Sequence, residues 1–176
     1  MKLLFVSIIS ICIVHVSFGQ ATKSASFKKA EKAYYAEEYS KAKSLYLKTL
    51  DSKGSCSQCL AQIANIYNIE SNFNEALVQI NKAIESENSK PSKEKVLGYY
   101  HSIRSFVYFN LGNLNLAKED ISEAIKKESK NDNYYFMRSL MRRMDGDLKG
   151  CCKDLESALK LGNTKAQEYL SIYCTK

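Results

Sequence analysis

Ala64-Asn65-Ile66-Tyr67-Asn68-Ile69-Glu70-Ser71-Asn72-Phe73-Asn74-Glu75-Ala76, continuing to Ile80 and Ala83, is the stretch that decides the fold. Its small and large apolar residues fall at spacings of three, four and seven, which place them on one helical face. The polar turn Ser71-Asn72 interrupts the pattern, so the stretch reads as two helices joined tightly. The arrangement occurs four times. The small residues Ala42, Ala76, Ala117 and Cys151 stand 34, 41 and 34 residues apart. Three residues before each stands Tyr39, Phe73, Leu114 or Leu148. Four after each stands Tyr46, Ile80, Ile121 or Leu155. Seven after each stands Thr49, Ala83, Ala124 or Ala158, and twelve before each stands Ala30, Ala64, Ser105 or Ser139. Small residues belong where two helices cross too closely for a large side chain. The turns before the second helices are Glu37-Glu38, Ser71-Asn72, Gly112-Asn113 and Gly146-Asp147. Glycine suits the end of one helix, and Asn or Asp suits the cap of the next. Such a period is the mark of stacked helix pairs.

These residues resemble the tetratricopeptide repeat. Its 34-residue period and small–aromatic–small–small pattern match Ala64, Tyr67, Phe73, Ala76 and Ala83. Ser105, Tyr108, Gly112, Leu114, Ala117 and Ala124 match again in the third repeat. The first and fourth depart from it, with Ala33 and Arg142 where Tyr67 and Tyr108 stand. The tryptophan often found early in the repeat is missing, and Asn88 occupies the place of the usual closing proline in repeat two. The resemblance implies an all-α, right-handed α-solenoid of about four helix pairs with a C-terminal capping helix. The repeats are expected near 23–56, 57–90, 98–131 and 132–162, and the cap at 163–174. Seven extra residues fall between repeats two and three, around Glu85 to Lys95. Pro91 is expected to open the third repeat's first helix, where a missing N–H costs nothing. In the cap, Ala166, Tyr169, Leu170 and Tyr173 form the apolar face that closes the last repeat. The segment from Gly150 to Cys174 is also similar to the ending of small exported bacterial repeat proteins.

Composition agrees. The 176 residues suit one domain. Seven glycines and one proline are too few for a many-turned β-sandwich, and 45% hydrophobic residues are too many for a disordered chain. Residues 1–19 read as a secretory signal peptide. Lys2 gives a positive start, Leu3 to Val16 is apolar, and Ser17-Phe18-Gly19 puts small residues at a cleavage site. The run is shorter than the ~20 residues a spanning helix needs. Cys12 sits mid-run after Ile9-Ser10-Ile11, which argues against a lipoprotein site. Export to a periplasm or the exterior is the expectation, without stable membrane insertion. The net charge of +7 arises from basic residues interleaved with acids, as in Lys28-Lys29-Ala30-Glu31-Lys32. That pattern favours solubility over a phosphate track, so no nucleic acid partner is expected.

Catalytic groups are scarce. Beyond the signal segment the one histidine is His101, at a place expected to be packed. One His with scattered cysteines does not assemble a metal site, and no phosphate loop or nucleophile elbow is present. The chain is not expected to be an enzyme or to hold a cofactor or metal. Cys56, Cys59, Cys151, Cys152 and Cys174 remain. Cys152 begins the last pair's second helix and Cys174 ends the cap helix. If those helices are antiparallel, about 14 Å and about 17 Å of helix at ~1.5 Å per residue bring the two sulfurs level. A Cys152–Cys174 disulfide is therefore expected, with Cys151–Cys174 the rival pairing. Cys151 stands in the crossing column and is expected to be buried and free. Cys56-Ser57-Gln58-Cys59 at a helix start is the spacing of a thiol–disulfide oxidoreductase. Without a βαβ setting, a local disulfide or two inert thiols is the preferred reading.

The fold implied by the resemblance lines its concave side with the first helix of each pair. Aligned by the columns, the inward residues are Tyr34 and Tyr35; Asn65 and Asn68; Tyr99, Phe106 and Phe109; and Phe136, Leu140 and Arg143. Aromatics and Arg dominate binding at protein interfaces. The expected function is thus a protein–protein interaction module holding a peptide or protein segment in this groove. The Lys and Asn set with which some members clamp a chaperone's terminal carboxylate is not reproduced, since Ala61, Gln62 and Phe27 stand there. The alternative is a self-associating assembly component, a homo-oligomer built through the same aromatics. Packing between neighbouring helices is the competing reading for each aromatic residue.

Overall fold

The structure is a computed structural model that describes residues 24–53, 55–88 and 94–174. The signal-peptide expectation for residues 1–19 and the helix-opening expectation for Pro91 lie outside these residues. Among the described residues the chain forms α-helices and no strands. None of these helices is long and apolar enough to cross a membrane. Two compact units divide at Ser129–Lys130. The larger contains α1 (Ala25–Tyr35), α2 (Tyr39–Lys53), α3 (Ser57–Ile69), α4 (Phe73–Asn88), α5 (Glu94–Asn110) and α6 (Leu114–Lys127). Each of these helices packs on the next, as three stacked pairs. The smaller contains the pair α7 (Asp132–Met144) and α8 (Leu148–Lys160), with α9 (Lys165–Tyr173) packed on α8 as a cap. Each unit is a piece of an all-α solenoid. The seven extra residues are taken up partly as helix. α4 runs on to Asn88, and α5 begins at Glu94, four residues before the expected repeat boundary at 98.

Four of the five recurring columns form the core. Ala30, Ala64, Ser105 and Ser139 are fully buried, as are Ala42, Ala76, Ala117 and Cys151. So are Tyr46, Ile80, Ile121 and Leu155, and Thr49, Ala83, Ala124 and Ala158. The hydroxyl of Ser105 donates to the Ala117 carbonyl at 2.7 Å, so the crossing of α5 and α6 carries a hydrogen bond between the two small residues. The fifth column is different. Tyr39, Phe73 and Leu114 are only half-buried, and Leu148 is 53% exposed. Each is the first residue of its helix. Helical side chains lean toward the N-terminus, so these cover the turn and not the crossing.

The turns share one geometry. Glu37, Ser71, Gly112 and Gly146 all adopt left-handed backbone, with φ of 60°, 61°, 79° and 80°. The next N–H then reaches back five residues: Glu38 to Ala33, Asn72 to Tyr67, Asn113 to Tyr108 and Asp147 to Arg142, at 2.8–2.9 Å. This closes each first helix by satisfying carbonyls that its end would orphan. Glycine adopts that φ without strain, whereas a side chain costs about 1–2 kcal/mol there. Ser71→Gly is therefore expected to raise stability by roughly 0.5–1 kcal/mol, part of the relief being offset by a floppier unfolded chain. Urea denaturation checks this; a lowered midpoint would show that the exposed Ser71 side chain contributes more than its strain removes.

Candidate functional site

The first-helix face of the larger unit is built from α1, α3 and α5. Asn65 and Phe106 occupy equivalent places on α3 and α5, one residue beyond the crossing residues Ala64 and Ser105. Tyr34, Asn68 and Phe109 occupy the next equivalent place, one turn further along α1, α3 and α5. Phe106 and Phe109 are half-buried and partly open to solvent. Tyr34 packs edge-on against Tyr35 at 5.7 Å and Tyr39 at 5.8 Å. Burial pushes the Tyr34 hydroxyl well above the usual tyrosine range, and the nearby Tyr99, Tyr39 and Tyr35 add to it. Tyr34 therefore stays a neutral donor at any physiological pH. Tyr35 is 50% exposed.

Tyr99 and Asn68 are more enclosed than a groove lining requires, and the expectation for them is corrected. Tyr99 is only 9% exposed, and its hydroxyl accepts from Asn65 Nδ2 at 2.8 Å. It ties α5 to α3, with Ala61 and Ala64 on α3 both fully buried. A long side chain over a low, alanine-lined helix becomes a bridge and not a surface. Asn68 is 6% exposed, yet its buried Oδ1 accepts no hydrogen bond among the described residues. A buried acceptor left so is costly, and its enclosure keeps it from an incoming segment.

In the smaller unit the aromatic residues serve the cap. Phe136 is 4% exposed and meets Tyr169 of α9 edge-on at 5.0 Å, so it belongs to the core and not to a binding face. Leu140 packs against the same cluster. Arg143 is exposed, but its guanidinium lies over the Tyr173 ring at 3.8 Å. Its charge is thereby held by the capping helix. Cys152 and Cys174 are disulfide-bonded with Cα atoms 5.8 Å apart, and Cys151 is buried and free. Cys56 and Cys59 are also bonded, with Cα atoms 5.2 Å apart.

One constellation escaped the sequence reading. Arg104 of α5 donates Nε and Nη2 to the two carboxylate oxygens of Asp120 on α6, at 2.7 and 2.8 Å. His101 Nδ1 lies 2.8 Å from the same carboxylate, and Arg104 Nη1 reaches Asn81 of α4 at 2.9 Å. The smaller unit repeats this: Arg138 donates to both oxygens of Asp154 at 2.8 Å, and Arg142 adds a third contact at 2.9 Å. Burial pushes the Asp120 carboxyl upward. The hydrogen bonds from Arg104 and His101, with their charges, outweigh that and hold it below the usual carboxylate range. The signal was present, since Arg and Asp recur sixteen apart at 104/120 and 138/154. Metal ligands do not gather: among the described residues no group of three or more His, Cys, Asp or Glu is placed to hold an ion.

Comparison with known proteins bears on the fold. The sequence matches no family model and no curated protein. Solved structures resemble it clearly. TTC0263, a thermophilic tetratricopeptide repeat protein of Thermus thermophilus, superposes with a TM-score of 0.70 at 17% identity, over 84% of this chain and 81% of that one. MamA from Desulfovibrio magneticus RS-1 gives 0.65 at 11% identity, over 77% and 73%. The first repeat domain of Spaghetti (RPAP3), bound to the HSP90 peptide SRMEEVD, gives 0.59 at 21% identity, over 67% and 90%. The fold is that of the tetratricopeptide repeat proteins.

Proposed function

We propose that the chain is an exported protein-interaction module that holds a peptide or protein segment on the first-helix face of its larger unit. The observation that carries this is that Phe106 and Phe109, one turn apart on α5, both stay partly open to solvent. Aromatic anchors that remain reachable supply binding energy at protein interfaces. That the RPAP3 domain, of similar fold, is bound to the HSP90 peptide SRMEEVD supports a peptide-holding role. The Lys2 start, apolar run and small-residue exit support export with cleavage after Gly19.

The test is a pull-down from envelope and secreted fractions with residues 20–176, beside a Phe106→Ala/Phe109→Ala variant. Tyr99 is left intact because it bridges α3 and α5. The expected result is one partner retained by the parent and weakened roughly tenfold or more by the variant. Equal binding by both would move the site to another face. Absence of a partner, with size that grows with concentration, would replace this reading by self-association.

A further inference from the structure

The two disulfides constrain the chain unequally. Cys152–Cys174 spans 22 residues and joins α8 to the end of α9. Cys56–Cys59 spans three, within the start of a single helix. So short a bridge removes little freedom from the unfolded chain. Its two sulfurs also differ. Cys59 is fully buried, whereas Cys56 is half-buried at the N-cap of α3. The Cys56 sulfur accepts the Cys59 N–H at 3.1 Å. First-turn N–H groups favour negative charge on a sulfur placed there. Ser57, between the cysteines, is anchored to two other helices. Its hydroxyl donates to the Glu87 carboxylate of α4 at 2.7 Å and lies 3.3 Å from the donating Tyr100 hydroxyl of α5. Ser57, Glu87 and Tyr100 are all buried.

We infer that Cys56–Cys59 is a thiol–disulfide exchange site for a dithiol, with Cys56 the attacked sulfur. A thiolate of the dithiol attacks Cys56 Sγ, and the Cys56–Cys59 bond breaks. Its electron pair leaves on the Cys59 sulfur, which takes a proton. The second thiol of the dithiol, on losing its proton, attacks its own partner's sulfur in the mixed disulfide and expels Cys56 as thiolate. The dithiol ends as a disulfide, and its two electrons rest on Cys56 and Cys59. Throughout, the Ser57 anchor holds the turn, so the opened sulfurs stay within reach of each other.

The experiment titrates the oxidised chain with dithiothreitol and maps alkylated cysteines by mass spectrometry. Cys56–Cys59 is expected to open at a reductant concentration roughly tenfold below Cys152–Cys174, because the second bridge gains more from the loop it closes. Ser57→Ala should lower the Cys56–Cys59 value further, by about threefold to tenfold, and leave Cys152–Cys174 in place as an internal control of the fold. Cys59→Ser, which keeps the Cys56 thiol, should form a mixed disulfide with oxidised glutathione roughly tenfold faster than Cys56→Ser does. Opening of both bridges over one range, or equal rates for the two single-cysteine variants, would overturn the exchange site. An unshifted Ser57→Ala titration would overturn the part given to the anchor.

Discussion

Asp120→Ala is expected to lower the stability of the larger unit by about 3–5 kcal/mol, the cost of breaking a buried ion pair from one side. The carboxylate is 5% exposed and receives both Arg104 contacts and His101. Its loss leaves the guanidinium between α5 and α6 with only Asn81 from this network. Urea denaturation measures the effect, and a loss under about 1 kcal/mol would place Asp120 among ordinary surface pairs. Acid gives a second reading. The folded carboxyl is held below its unfolded value, which lies near about 4. The stabilisation is therefore complete above that value and is lost as pH falls through it toward the folded one. The parent should weaken from about pH 5 to pH 3 more steeply than Asp120→Asn, which has no such carboxyl to protonate.

Cys174→Ser is expected to cost the smaller unit roughly 3 kcal/mol, the stabilisation of a disulfide closing a loop of this length. The loss should concentrate in α9, a nine-residue helix too short to persist alone. The contacts that remain include Ala166 in the core, Leu170 packed against it, Tyr169 on Phe136 and Tyr173 under Arg143. Hydrogen exchange should show the α9 amides losing protection while α7 and α8 keep theirs. The Cys151 thiol, 1% exposed in the intact chain, should become reactive to a maleimide as the cap lifts. Unchanged α9 protection would show that the aromatic contacts suffice without the bridge.

The columns of small and large residues are legible because helical periodicity and close crossing are local, steric demands. Ala76 or Ala117 admits few other positions in a helix pair. The turn column is half legible: Gly112 and Gly146 announce left-handed backbone, whereas Glu37 and Ser71 adopt it with no sign in their chemistry. Spacing puts Leu148 with the core, and it is exposed, because spacing places a residue on a face but does not say whether the face has ended. Alignment of the columns makes Tyr99, Phe136 and Arg143 one lining. In the structure Tyr99 is a bridge, Phe136 the seat of the cap, and Arg143 a partner of Tyr173. The helix pairs, their crossing points and the capping helix can be read from the residues alone, since each follows from contacts one or two turns apart. Which aromatics stay reachable, and where Arg104 and Arg138 find their carboxylates, emerges only once the helices are packed. Those outcomes depend on how far a long side chain reaches across a neighbouring helix, and on whether a partner there removes it from water.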